Sequence, residues 1–153
     1  MTQDIEIQEA SATPKSFEDM GLAEPILQAV RKAGYETPSP IQECSIPPIL
    51  EGRDLLGVAQ TGTGKTAAFS LPLLSRLDES VRGAQILVLA PTRELALQIH
   101  VEAEKFGRSS RINTGIAYGG VPKGPQIGTL MRGVHVLIAT PGRINDFLEM
   151  NSP

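Results

Sequence analysis

Residues 59–66, Ala59-Gln60-Thr61-Gly62-Thr63-Gly64-Lys65-Thr66, put two glycines, a lysine and a threonine at the spacing of a phosphate-binding loop. In such a loop the backbone N–H groups of Gly62, Thr63, Gly64 and Lys65 turn toward one point, where the start of the next helix adds its partial positive charge. Lys65 would reach the β and γ phosphates, and the Thr66 hydroxyl would ligate Mg²⁺. The pattern asks for a glycine where Ala59 stands. The glycines nearest the lysine make the close approach to phosphate, so a methyl group at the first position is tolerated where its φ is negative. The plainer reading is a glycine-rich strand-to-helix turn, which has no need of Lys followed by Thr.

A loop of this kind works only between a strand and a helix, and the flanking pattern supplies both. LLGVA (55–59) is an apolar run read as a strand, and the helix after the loop extends to about residue 77. QILVLA (85–90), INTGIAY (112–118) and VHVLIA (134–139) are three further strand candidates. A helix with Leu95, Ala96, Ile99, Ala103 and Phe106 on one stripe follows the second run, and another is expected from Pro141 to Met150. Strands apolar on both faces and alternating with helices predict an α/β fold with a parallel sheet covered by helices. Upstream, residues 22–33 place Leu22, Ile26, Ala29, Val30 and Ala33 on one helical face before the stop at Gly34. Ser39 and Pro40 then open a second helix, in which Pro47 and Pro48 predict a kink or a restart. Residues 1–15 are polar and acidic and read as a disordered tail.

Four stretches occur in a fixed order around the loop, with an isolated Phe17 ahead of them: Gly34-Tyr35-Glu36-Thr37-Pro38-Ser39-Pro40-Ile41-Gln42, then Pro91-Thr92-Arg93-Glu94-Leu95-Ala96, Gly119-Gly120, and Thr140-Pro141-Gly142-Arg143. Together with A-x-T-G-x-G-K-T this set resembles the DEAD-box RNA helicases from about Ser16 to the end of the chain. The resemblance implies a P-loop NTPase lobe of the RecA-like kind, here in part, spanning residues 16–153, with ATP and Mg²⁺ as cofactors and RNA as partner. It places Gln42 in an adenine-reading motif, where an amide that both donates and accepts matches the N6/N7 edge and favours ATP over GTP. It gives Phe17 a stacking role on the adenine face; from the residues alone, Phe17 reads as a core residue and Gln42 as a polar helix residue.

The resemblance assigns Pro91, Thr92, Arg93, Gly119, Gly120, Thr140, Pro141, Gly142 and Arg143 to the RNA backbone. Hydroxyls, helix-start N–H groups and arginines suit phosphate and ribose contacts that carry no sequence information. A salt bridge from Arg93 to Glu94 or Glu102 is the structural alternative. Four Phe and two Tyr form no cluster that suggests a base-stacking platform. His100 and His135 are not at metal-ligand spacing, and Cys44 reads as a small filler.

Hydrolysis needs a carboxylate at a strand end to hold Mg²⁺ and orient water. QILVLA ends in Pro91-Thr92-Arg93 and VHVLIA in Thr140-Pro141-Gly142, so neither strand delivers one. In the family that acid belongs to an Asp-Glu-Ala-Asp motif beyond TPGR, and the sequence stops at Pro153 before it. The expectation is an ATP- and RNA-gripping portion without hydrolysis of its own.

Composition agrees with a single domain of 153 residues, 41% hydrophobic and 20% charged, with no apolar run long enough for a membrane span. The N-terminus lacks the features of a secretory signal and the one cysteine cannot pair internally, which predicts a cytoplasmic setting. The net charge of −3 comes from residues 1–24, leaving 13 bases against 11 acids elsewhere, so no strong, purely electrostatic nucleic-acid binder is expected. A non-enzymatic nucleotide- or RNA-binding module, a DNA helicase and another P-loop ATPase remain the alternatives.

Overall fold

The computed structural model describes residues 16–60, 62 and 64–150. After a 3-10 turn at Phe17–Met20 comes α1, Glu24–Lys32, with Ile26, Ala29 and Val30 buried as the helical spacing predicts, Leu27 buried beside them and Ala33 only partly so. Glu24 lies in its first turn and Arg31 and Lys32 in its last, matching the helix dipole at both ends. The second helix, α2, Pro40–Leu50, carries Pro at its first position and runs unbroken through Pro47 and Pro48. The expected restart is therefore corrected. Two prolines remove the N–H partners of the Glu43 and Cys44 carbonyls, but both residues are half-exposed and water can serve those groups.

The remaining elements alternate. They are α3, Lys65–Ser75; β1, Ile86–Leu89; α4, Arg93–Gly107; β2, Thr114–Ala117; α5, Lys123–Met131; β3, Val136–Ala139; and α6, Pro141–Met150. The three strands form a wholly parallel sheet in the order β1-β3-β2. The register aligns Leu89 with Ala139 and Ala117 with Ala139, so all three strands end level with one another. Central β3 is buried on both sides, which is why its sequence is uniformly apolar rather than alternating.

Val136 and Ile138 point to one face, where Ile26, Val30, Leu71, Ile99 and Phe106 complete the larger core. Leu137 and Ala139 point to the other, against Ala117, Val134 and Phe147, with Ile127, Leu130 and Ile144 packed on the rim. Helices thus cover both faces. Fully burying side chains such as Ile26 or Phe106 stabilises the fold by about 1.5–3 kcal/mol each.

One expected strand is absent. Residues 55–59 are in no ladder with β1, β2 or β3, and Leu56 and Val58 are 91% and 84% exposed. A strand persists only where a neighbour completes its backbone hydrogen bonds, and LLGVA pairs with neither of the open edges, at β1 and β2, that the three-stranded sheet leaves. On the same account β1 is an edge strand, and Leu87 and Leu89 are more than half exposed on the face shared with Leu137. Conversely, α5 carries no strong helical pattern. Gly124, Pro125 and Gly128 lower its propensity, and the burial of Ile127 and Leu130 against the sheet holds it. The tail at 1–15 lies outside the described residues.

Candidate functional site

The glycine loop leads directly into α3. Gly62 and Gly64 have φ of +82° and +84°, the left-handed region where only glycine is unstrained. No other residue type in the described chain has a positive φ, so Ala59 at the first position carries its methyl group without strain. Gly64 is the N-cap of α3, and its carbonyl accepts the first helical bond from Ala68 N–H at 3.0 Å. The first N–H groups of a helix have no partner within it and are suited to an anion. Lys65 is exposed and Thr66 half-buried at the helix start. Thr66 borders an open cavity of about 480 Å³ shared with Leu97, Gln98, Val101 and Glu102 of α4. Ala59 is half-buried and Gln60 exposed, while Thr61 and Thr63 lie outside the described residues.

Gln42 meets this loop from α2. Only 3% exposed, its Oε1 accepts from Ser39 N–H at 2.9 Å and its Nε2 donates to the Gly64 carbonyl at 3.3 Å. The amide therefore caps its own helix with one end and grips the phosphate loop with the other. Its spacing to Ser39 is that of a capping box, a signal legible in the sequence. A Cβ on Gly64 would fall on the Gln42 amide nitrogen, so the close approach depends on glycine.

Phe17 sits elsewhere. Its ring is 3% exposed and stands edge-on to Tyr35, with centroids 6.4 Å apart, and Tyr35 in turn lies 5.8 Å from Phe106. The cavity beside it is lined by Leu27, Val30, Arg31, Tyr35 and their neighbours, with none of the described residues of the glycine loop.

The second cluster is at the carboxyl ends of the three level strands, the edge at which open α/β sheets bind ligands. After β1, Pro91, Thr92 and Arg93 are exposed, and the Thr92 hydroxyl caps α4 by accepting from Leu95 N–H at 3.2 Å. Arg93 does not form the alternative salt bridge to Glu94 or Glu102; its guanidinium lies over the Tyr118 ring at 5.0 Å. This joins the end of β1 to Gly119 and Gly120, both exposed, after β2. After β3, Thr140 N–H donates to Ala117 C=O at 2.9 Å, and Thr140 C=O accepts from Ile144 N–H as α6 begins. Pro141 and Gly142 are exposed there.

Arg143 faces inward. It is 7% exposed, donating through its two terminal nitrogens to Gln126 Oε1 and to Val121 C=O, both at 2.9 Å. Its side chain is thus committed to the protein rather than displayed beside Thr140 and Gly142. Tyr118 and Gln126 are members of this edge that the sequence reading missed. Neither belongs to a recognisable motif, and only the buried position of a polar residue on α5 marks Gln126.

Elsewhere, His135 Nδ1 accepts from Asn113 N–H at 3.0 Å, and His100 Nε2 lies 3.6 Å from Glu104. Among the described residues no group of three His, Cys, Asp or Glu could hold a metal ion. No helix among them is long and apolar enough to cross a membrane.

Comparison with known proteins agrees with this geometry. The family model described as DEAD/DEAH box helicase matches residues 39–152, from the cap of α2 through α6. The chain is 50% identical over 143 residues to DEAD-box ATP-dependent RNA helicase 20 of Arabidopsis thaliana, covering 90% of this chain and 28% of that protein. It is 47% identical over 141 residues to ATP-dependent RNA helicase dbp2 of Schizosaccharomyces pombe, covering 89% of this chain and 26% of that one. The chain thus spans about a quarter of the length of these curated relatives. A parallel α/β lobe of RecA-like type, a glycine loop opening α3 and three level strand ends agree with the sequence match, and the chain belongs to the DEAD/DEAH box helicase family.

Proposed function

We propose that this chain is the ATP-gripping and RNA-backbone-gripping portion of an ATP-dependent RNA helicase. The observation that carries the reading is the Gln42 amide locked onto the carbonyl of Gly64, which couples a base-reading residue to the phosphate loop. In this reading the N–H groups from Gly62 to Lys65 hold the phosphates, Lys65 neutralises their charge, and the Thr66 hydroxyl ligates Mg²⁺. Gln42 selects adenine with the hydrogen-bonding capacity left after Ser39 and Gly64 are served. A stacking role for Phe17 requires its ring to turn out of the core that now holds it.

Along the carboxyl edge, Thr92, Arg93, Gly119, Gly120, Thr140 and Gly142 contact phosphate and ribose, with Pro91 and Pro141 shaping the turns and Arg143 acting from behind. Such contacts read backbone shape rather than sequence. Residues 16–153 form one functional unit in this reading. Its setting is the cytoplasm, where a lone thiol such as Cys44 stays reduced. The test is binding of labelled ATP and of single-stranded RNA by the chain. The expected result is Mg²⁺-dependent ATP binding abolished by Lys65→Ala, RNA binding indifferent to base sequence, and turnover at background. Preference for DNA over RNA, or ATP binding unaffected by Lys65→Ala, would overturn it.

A further inference from the structure

We propose that Gln126 is a positioning residue of the RNA-backbone face: with Arg143 it sets the shape of the loop from Tyr118 to Val121 that presents Gly119 and Gly120 to a phosphate. The inference rests on the RNA reading given above. Two adjacent glycines have no side chains with which to hold a conformation, and Gly120 occupies φ of +83°. The loop must be held from outside.

Both of its ends are. The Nε2–H of Gln126 donates to Tyr118 C=O, immediately before the glycine pair, at 3.1 Å. One terminal N–H of Arg143 donates to Val121 C=O, immediately after the pair, at 2.9 Å, and the other donates to Gln126 Oε1 at 2.9 Å. The two side chains thus form a bracket that runs from one flank of the glycines to the other. Gln126 and Arg143 are 9% and 7% exposed, so the bond between them is shielded from competing water, and those to Tyr118 and Val121 are partly so. Arg143 Nε is buried without a hydrogen-bond partner and lies 3.7 Å from the Asp146 carboxylate, to which Lys123 also approaches at 3.7 Å.

A guanidinium held in this way has no free fork to offer a phosphate. Its effect on RNA passes through the loop. A buried glutamine is costly unless its amide is satisfied at both ends, and an apolar residue would fill the same space without that demand. The amide at this position therefore serves the loop rather than the packing.

The test measures affinity of the chain for a fluorescein-labelled oligouridylate over a salt series, by anisotropy. Gln126→Ala and Arg143→Met should each weaken binding roughly tenfold, the scale of a lost buried hydrogen bond. Neither should change the slope of log K against log salt, because no phosphate contact is lost. The double variant should bind no more weakly than either single one, as residues acting as one unit do. Arg93→Ala, by contrast, should lower the slope by about 0.7, the value for one phosphate on a single strand.

A slope reduced by Arg143→Met, or additive losses in the double variant, means that Arg143 grips RNA itself and overturns the proposal. So does parental affinity in Gln126→Ala. If Gln126→Ala fails to fold, Gln126→Glu takes its place, since it keeps an acceptor for Arg143 and loses the donor to Tyr118. Amide shifts of Gly119 and Gly120 should move in Gln126→Glu while that of Leu137 in β3 stays put; unmoved glycine shifts sink the positioning role. Failure of the unmodified chain to bind RNA instead sinks the functional reading on which the proposal rests.

Discussion

The side-chain amide of Gln42 donates to the carbonyl of Gly64 across 22 positions of sequence, tying the first turn of α2 to the residue that caps α3. The same carbonyl accepts from Ala68 N–H, so the bond adds to the helix start without replacing anything in it. Gln42→Ala leaves the Ser39 N–H without its acceptor and the loop without its tether. The expected loss is about 1–3 kcal/mol of stability, together with weaker ATP binding. Thermal melts with and without ATP and Mg²⁺ check both, and a variant that melts and binds like the parent shows the bond to be idle.

Gly64→Ala and Lys65→Ala should separate fold from ligand. Alanine at Gly64 meets both a left-handed φ and the Gln42 amide, so stability falls by at least the roughly 1–2 kcal/mol of left-handed strain. Lys65 is exposed, and its loss should leave the melting temperature within the range of surface substitutions while removing ATP affinity. Calorimetric titration beside a melt distinguishes the two, and equal destabilisation by both variants would contradict the assignment.

The stacking of Arg93 on Tyr118 predicts that Arg93→Lys is not conservative, because an ammonium keeps the charge but lacks the planar face. RNA affinity should fall severalfold in Arg93→Lys with little change in salt slope, and further, with a reduced slope, in Arg93→Ala. Anisotropy titrations at several salt concentrations decide it, and parental affinity in Arg93→Lys would mean that charge alone matters there.

Leu87 and Leu89 project from an edge strand with their face uncovered. Such a surface favours association between copies at high concentration. Leu87→Lys should lower self-association in sedimentation velocity while changing stability by less than about 1 kcal/mol, since the side chain is already more than half exposed. A large drop in melting temperature instead would show that the face is covered in solution.

Acid sensitivity should have a contribution at Asp78. Ser80 donates to its carboxylate through both hydroxyl, at 2.6 Å, and backbone N–H, at 3.0 Å, which holds its pKa below the usual 3.8. The folded value is the lower one, so this stabilisation is complete above pH 3.8 and is lost as pH falls through the folded value. Ser80→Ala should remove that part of the acid limb, read from the carboxyl resonance of Asp78 and from melts at low pH. A resonance that titrates identically in both proteins would rule the contact out as the cause.

The reading of three strands from apolar runs held because a parallel strand buried on both faces has little choice of residue: VHVLIA became β3, and QILVLA and INTGIAY yielded β1 and β2. LLGVA has the same composition and is not a strand, because composition makes a strand possible and a hydrogen-bonded neighbour makes it real. The helix α5 escaped notice for the opposite reason, its glycines and proline being outweighed by contacts that only packing supplies.

What the sequence determined by itself was local chemistry: a glycine loop that must turn through left-handed φ, a Ser39–Gln42 cap, and the motif order that marks the family. Those features depend on residues a few positions apart, where spacing and backbone sterics settle the outcome. The tertiary structure decided which groups face a ligand. Level strand ends brought Arg93 to Tyr118, turned Arg143 away from the surface, and enlisted Gln126 to hold the glycine pair. A side chain's direction depends on the neighbours that the sheet register places around it, and no spacing rule along the chain contains that register.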